Sequence, residues 1–152
     1  MKSFREIMGV LSDFFRKSSK TTRDAGTPPA RPHKRALGRS GESLAAVHLR
    51  QNGYRILCTN YRTKMGEIDI VAEERGVIAF VEVKMRRSLR FGPAKLAVTR
   101  RKQENIARTA RHYLARNGRL AEAARFDVLA ITLSDEKPIF ELIRNAFPSP
   151  FR

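Results

Sequence analysis

The sequence predicts an α/β fold built on one mixed central sheet, and three observations carry that expectation. Three strand-like segments, about 54–62, 67–73 and 77–86, follow one another with turns so short that they should pair as an antiparallel meander. Apolar residues at helical spacing precede the meander and return after it. A last apolar stretch, Phe126 to Leu133, is reached through the second helix, so it is expected to lie parallel to the third strand. The expected order is helix, three-strand antiparallel meander, helix, parallel strand.

Taken along the chain, residues 3–17 place Phe4, Ile7, Met8, Leu11, Phe14 and Phe15 at helical spacing. This short amphipathic helix can dock on the domain, bind a partner or touch a membrane, and Glu6 and Asp13 weaken the membrane reading. Residues 18–37 are Ser, Lys, Thr, Arg, Gly and Pro with few large apolar groups, which predicts a flexible basic linker. Residues 1–37 are thus expected to be a basic N-terminal extension and 38–152 the domain. Ser40 is placed to cap a helix with the stripe Ala45, Ala46 and Leu49, ending at Asn52-Gly53. Glu42 lies in its first turn, where it complements the helix dipole without needing any chemistry. Glu73-Glu74-Arg75-Gly76 reads as a tight hairpin. A loop with Phe91-Gly92-Pro93 leads to a helix from about Thr99 to Asn117, closed by Gly118. Its buried stripe is Ile106, Ala107, Ala110 and Leu114, extended by Gln103. Arg101, Asn105, Arg108 and His112 fall on another side, a basic face that tracks phosphates or is only solvated charge. Ile139 to Ile143 is expected as an edge strand.

The 152 residues suffice for one domain with a real core plus a tail. Net charge is +16. Residues 1–40 hold ten Lys or Arg against Glu6, Asp13 and Asp24, a net of +7, which leaves +9 for the rest. A folded part that basic favours a polyanionic partner, nucleic acid ahead of an anionic membrane surface. Cys58 is the only cysteine, which rules out an internal disulfide and a cysteine-based zinc site and suits a reducing cytoplasm. Nothing approaches the roughly 18–20 apolar residues of a membrane span, so a cytoplasmic protein is expected.

The departure from an ordinary sheet lies in Glu67-Ile68-Asp69-Ile70 and Phe80-Val81-Glu82-Val83-Lys84. Alternate strand residues share a face, and the hairpin register then brings Glu67, Asp69, Glu82 and Lys84 to one face. Carboxylates so placed repel unless a cation lies between them. Oxygen ligands without Cys or paired His suit Mg²⁺ or Mn²⁺, and Lys84 would supply positive charge where negative charge grows during attack on phosphorus. The bland alternative is a cross-strand ion pair in which Lys84 neutralises Glu82 or Glu67.

Asp69 followed by Glu82-Val83-Lys84 on the next strand resembles the signature of the PD-(D/E)xK nuclease superfamily, with its restriction-endonuclease-like fold and its archaeal Holliday-junction resolvases. The runs Gly38-Arg39 to Gly41-Glu42, Asn60-Tyr61-Arg62, Gly66-Glu67-Ile68-Asp69, Phe80 to Lys84, and Ala97-Val98-Thr99 before Lys102-Gln103 more closely resemble the YraN-like family of bacterial predicted endonucleases, over roughly residues 38–133. Ile68 stands where the superfamily label has Pro. The resemblance implies Asp69, Glu82 and the Val83 carbonyl as metal ligands, with Glu42 as the acid given by the first helix. It also implies Lys84 as the catalytic lysine and Glu67 and Gln103 as supporting residues.

Two functions follow. The first is a Mg²⁺- or Mn²⁺-dependent endonuclease acting on DNA, with branched or recombination intermediates as substrates and Arg101, Lys102 and Arg108 on the nucleic-acid backbone. Resolving a branched junction would require two active sites, hence a homodimer. The alternative is a non-catalytic nucleic-acid-binding or assembly protein on the same scaffold. His33 and His48 have no partners for zinc or nucleophile chemistry, Cys58 is expected to be a small strand side chain, and Tyr61 and Phe91 are expected to pack rather than stack on bases.

Overall fold

The computed structural model describes residues 34–86, 98–133 and 137–148, with residues 34–40 as helical backbone. The elements are α1 (Lys34–Gln51), β1 (Arg55–Thr63), β2 (Gly66–Glu74), β3 (Val77–Arg86), α2 (Arg100–Arg116), β4 (Ala124–Thr132) and β5 (Ile139–Phe147). They form one five-stranded sheet in the order β1-β2-β3-β4-β5, antiparallel except for the parallel β3–β4 pair. This is the helix, meander, helix, parallel-strand order on a mixed central sheet expected from the sequence. β5 is added antiparallel along the far edge and extends four residues beyond the expected strand.

Local signals explain the borders. Arg75 and Gly76 both take positive φ, 51° and 77°, in the two-residue turn that closes Glu74 onto Val77. α1 ends as Tyr54 N–H reaches back to the Leu49 carbonyl around Gly53 at φ 85°. α2 begins where the Thr99 hydroxyl accepts from Lys102 N–H and ends with Arg119 N–H on the Leu114 carbonyl. One border differs from expectation. α1 starts at Lys34, so Ser40 lies inside the helix rather than capping it, and 34–37 are helix rather than linker. Lys, Arg, Ala and Leu at 34–37 are good helix formers, and their propensity outweighs the polar look of the stretch. The expected helix at 3–17, the linker up to residue 33, His33 and the Phe91-Gly92-Pro93 loop lie outside the described residues.

Two cores sandwich the sheet. Leu44, Ala45 and Leu49 of α1 pack on Ile70, Ala72, Ala79, Val81, Leu129 and Ile131. On the other side Ile106, Ala107, Ala110 and Tyr113 of α2 pack on Val71, Ile78, Phe80, Phe126, Val128 and Ala130. Tyr61 and Tyr113 meet edge to face there at 5.1 Å, so Tyr61 packs as expected, and Cys58 sits half-buried beside this core. His48 stacks on Phe140 at 4.2 Å.

The sheet has a polar staple that the sequence reading did not anticipate. Asp127 is fully buried on β4, takes the Arg125 guanidinium at 3.0 Å and accepts from Asn145 N–H at 3.0 Å. Arg125 and Arg144 both reach Glu74 and the Tyr54 hydroxyl. These bonds satisfy Asp127 where the β4–β5 register shifts between Phe126 and Val128.

Candidate functional site

β2 and β3 bring the acidic residues together. Extending the register Ile70↔Val81 by one step sets Asp69 opposite Glu82. The antiparallel ladder stops there, and Asp69 Oδ2 takes the Val83 N–H at 2.8 Å. Strict alternation also stops there: Ile68 belongs to the α2-side core and Ile70 to the α1-side core. The partner strand carries the matching irregularity. Asn60, at φ 56°, occupies the left-handed region that asparagine tolerates better than most residues.

Glu82 is the most buried acid of this group, 4% exposed on β3, whose parallel ladder with β4 is regular from Ile78 to Arg86. Lys84, two residues on and on the same face, donates to Oε1 at 2.7 Å. Lys102 of α2 brings its ammonium to 3.4 Å from Oε2. That contact is close enough for attraction but is not aligned as a hydrogen bond, so Oε2 has no hydrogen-bond donor among the described residues. Lys102, expected on a phosphate-facing surface, is thus turned toward the acidic pair.

Glu42 enters from α1. Gly41 faces the flexible end of the Met85 side chain, which a Cβ there would meet at 2.8 Å. The Asn60 amide then donates to Glu42 Oε2 at 2.5 Å. The Asp69 carboxyl is pushed from its ordinary 3.8 up to about 7. Burial is the largest cause, and the charges of Glu82 and Glu42 add to it, while the Val83 N–H and Lys102 oppose it.

The four residues expected to carry the chemistry, Glu42, Asp69, Glu82 and Lys84, therefore meet around the end of the β2–β3 ladder. The supporting residues do not join them as expected. Glu67 is half exposed and holds Arg62 at 3.3 Å; the switch of faces across Asp69 breaks the shared face the register implied. The Gln103 amide donates to the Val98 carbonyl at 2.9 Å, bracing the entry to α2. Arg101 and Arg108 are exposed on α2, and His112 of the same basic face takes the Tyr61 hydroxyl at 2.8 Å. Asn60 was missed as a site residue. Its signals were its place in the run Asn60-Tyr61-Arg62 and the presence of an asparagine, a residue suited to positive φ, inside an otherwise strand-like stretch.

Among the described residues no three His, Cys, Asp or Glu side chains gather tightly enough to enclose an ion by themselves. The oxygens left for a hard cation are fewer: those of Asp69 and of Glu82 with its unbonded Oε2. Glu42 lies near enough to act on Asp69 without completing a third carboxylate ligand. Beside the pair a cleft of about 380 Å³ is lined by Arg62, Thr63, Gly66, Glu67, Lys102 and Asn105. No helix among the described residues is long and apolar enough to cross a membrane.

Comparison with known proteins matches residues 41–131 to the model of the uncharacterised protein family UPF0102. A UPF0102 protein of Geobacter metallireducens is 49% identical over 115 residues, 76% of this chain and 94% of that protein. One from Trichlorobacter lovleyi is 53% identical over 115 residues, 74% and 90%, and one from Alkaliphilus metalliredigens 47% over 113 residues, 74% and 98%. Among solved structures, Pyrococcus furiosus SfsA in complex with Ca²⁺ aligns at 16% identity and a TM-score of 0.37, over 81% of this chain and 74% of that one. That superposition is too loose to bear on function. The matched span contains Glu42, Asn60, Asp69, Glu82, Lys84 and Lys102, and by this match the chain belongs to the uncharacterised protein family UPF0102, the YraN-like family its motifs resemble.

Proposed function

We propose that this chain is a metal-dependent endonuclease that hydrolyses phosphodiester bonds in DNA, branched or recombination intermediates among them. The observation that carries the reading is the buried Glu82 carboxylate, set opposite Asp69 by extension of the register and left with one oxygen that accepts no hydrogen bond among the described residues. Asp69, Glu82 and the Val83 carbonyl would hold Mg²⁺ or Mn²⁺, which acidifies a water and polarises a phosphoryl oxygen when bound. Lys84, fixed on Glu82 Oε1, keeps a positive charge at the edge of the pair, where it offsets charge growing on the phosphate or orients the attacking water. Glu42, held by the Asn60 amide, would take a proton from that water. The exposed guanidinium groups of Arg101 and Arg108 suit the nucleic-acid backbone and read no bases.

One observation favours a second reading, a non-catalytic nucleic-acid-binding or assembly protein. Glu82 already has two ammonium neighbours, so its charge is offset without any ion. A panel of fluorescent linear, nicked, flap and four-way DNA with Mg²⁺ or Mn²⁺ separates the two. The nuclease cuts at least one substrate, and Asp69→Asn abolishes cutting while DNA binding survives. A wild type that binds DNA and cuts nothing leaves the second reading.

A further inference from the structure

We propose that Lys102 is the resident counter-ion of the acidic pair: it holds the place of the divalent cation until one binds, then turns its ammonium into the adjoining cleft to meet a phosphodiester. This rests on the metal-dependent nuclease reading and states how that site is loaded.

The two lysines on Glu82 are held differently. Lys84 lies on the same strand, two residues away, and makes a 2.7 Å hydrogen bond to Oε1. Lys102 reaches across from α2 and rests 3.4 Å from Oε2 with no hydrogen bond. An ammonium that is attracted but unbonded is displaced more readily by a doubly charged ion that takes oxygen ligands at roughly 2.0–2.1 Å. The charge of Lys102 is felt at Asp69 as well, where it favours the ionised carboxyl. One side chain from outside the sheet thus serves both acids that the ion would share.

The displaced ammonium has somewhere to go. Lys102 also lines the cleft of about 380 Å³, together with Arg62 of β1 and Asn105 of its own helix. Among the described residues Arg62 is held there by the half-exposed Glu67 at 3.3 Å, a pairing of the kind that contributes little. A phosphate entering the cleft can therefore draw on Arg62 and Lys102 together, with the metal having released the second. Loading would be ordered, with the cation first and the nucleic acid strengthened by it.

Mn²⁺ titrations of the full chain without nucleic acid, read by calorimetry and by the resonance of free Mn²⁺, test this on wild type, Lys102→Ala and Lys102→Gln. Duplex DNA binding by anisotropy, with and without Ca²⁺, completes the set. Both variants are expected to bind Mn²⁺ roughly tenfold more tightly than wild type, since a competing charge is gone. Their gain in DNA affinity on adding Ca²⁺ should be smaller than that of wild type. Wild type binding Mn²⁺ with the variants binding it no more tightly overturns this inference and leaves the nuclease reading standing. Absence of Mn²⁺ binding from wild type and variants alike overturns both. Lys102→Gln preserves the stem and gives an answer should the alanine variant fold poorly.

Discussion

Asp69 sets the behaviour of the site one residue at a time. Its folded carboxyl, pushed up to about 7, keeps its proton more readily than the unfolded one at 3.8. Between about pH 4 and pH 7 the metal-free folded protein therefore binds more protons, and its stability falls as pH rises through that window. Asp69→Asn should remove this slope and raise the stability of the chelator-treated protein at pH 7.5 by about 1–3 kcal/mol. Thermal unfolding of both proteins between pH 4.5 and 7.5 measures it, and a wild type that gains stability over the range would contradict the assignment. Asn60 gives a second test. Asn60→Gly keeps the positive-φ backbone but loses the bond to Glu42, so cleavage should drop about tenfold with the melting temperature little changed. At this scale the acids were legible because charged residues interrupted apolar strands. The bond of Asn60 to Glu42 and the approach of Lys102 to Glu82 were not, since they depend on a left-handed residue within a strand and on a contact between distant elements.

At the level of elements, the site depends on how closely α2 lies on the β1–β2 hairpin. A Cβ at Gly66 would meet Asn105 Cβ and Thr109 Oγ1 at 3.3 Å each, and Thr109 is fully buried. Gly66→Ala should push α2 outward, costing about 1–2 kcal/mol and weakening the hold of Lys102 on Glu82. Denaturant unfolding checks the first effect, and a tightened Mn²⁺ affinity of the folded variant checks the second. The elements themselves were legible from periodicity and turn residues, with borders at Asn52-Gly53, Arg75-Gly76 and Gly118. What alternation misjudged was Glu67. A strand that changes its facing residues within Ile68–Ile70 carries no mark of the change in its own sequence, because the cause lies in pairing with a strand that holds Asn60 at positive φ.

Across the whole molecule, two polar systems have different jobs. Asp127→Ala should cost about 1–3 kcal/mol, because it leaves the Asn145 N–H without its acceptor and Arg125 with Glu74 as its remaining carboxylate, yet Mn²⁺ affinity of the folded fraction should be unchanged. Chemical denaturation paired with Mn²⁺ titration separates fold from site. Net charge of +16 implies a strong electrostatic share in the proposed nucleic-acid binding. Raising salt from about 50 to about 200 mM should weaken that binding at least roughly tenfold, with a log–log slope set by the phosphates contacted. Charge and fold class were both readable from composition and pattern, whereas the Asp127 staple was hidden because Arg125 and Asp127 look like ordinary strand charges until a register shift buries them.

The most direct measurement is the anomalous signal from a crystal of the full chain soaked in Mn²⁺. A peak bonded to Asp69 and Glu82, with the Lys102 ammonium moved off Glu82 Oε2, is the predicted result. An acidic pair without a peak, Glu82 still held by both lysines, would contradict the metal centre on which the nuclease reading stands.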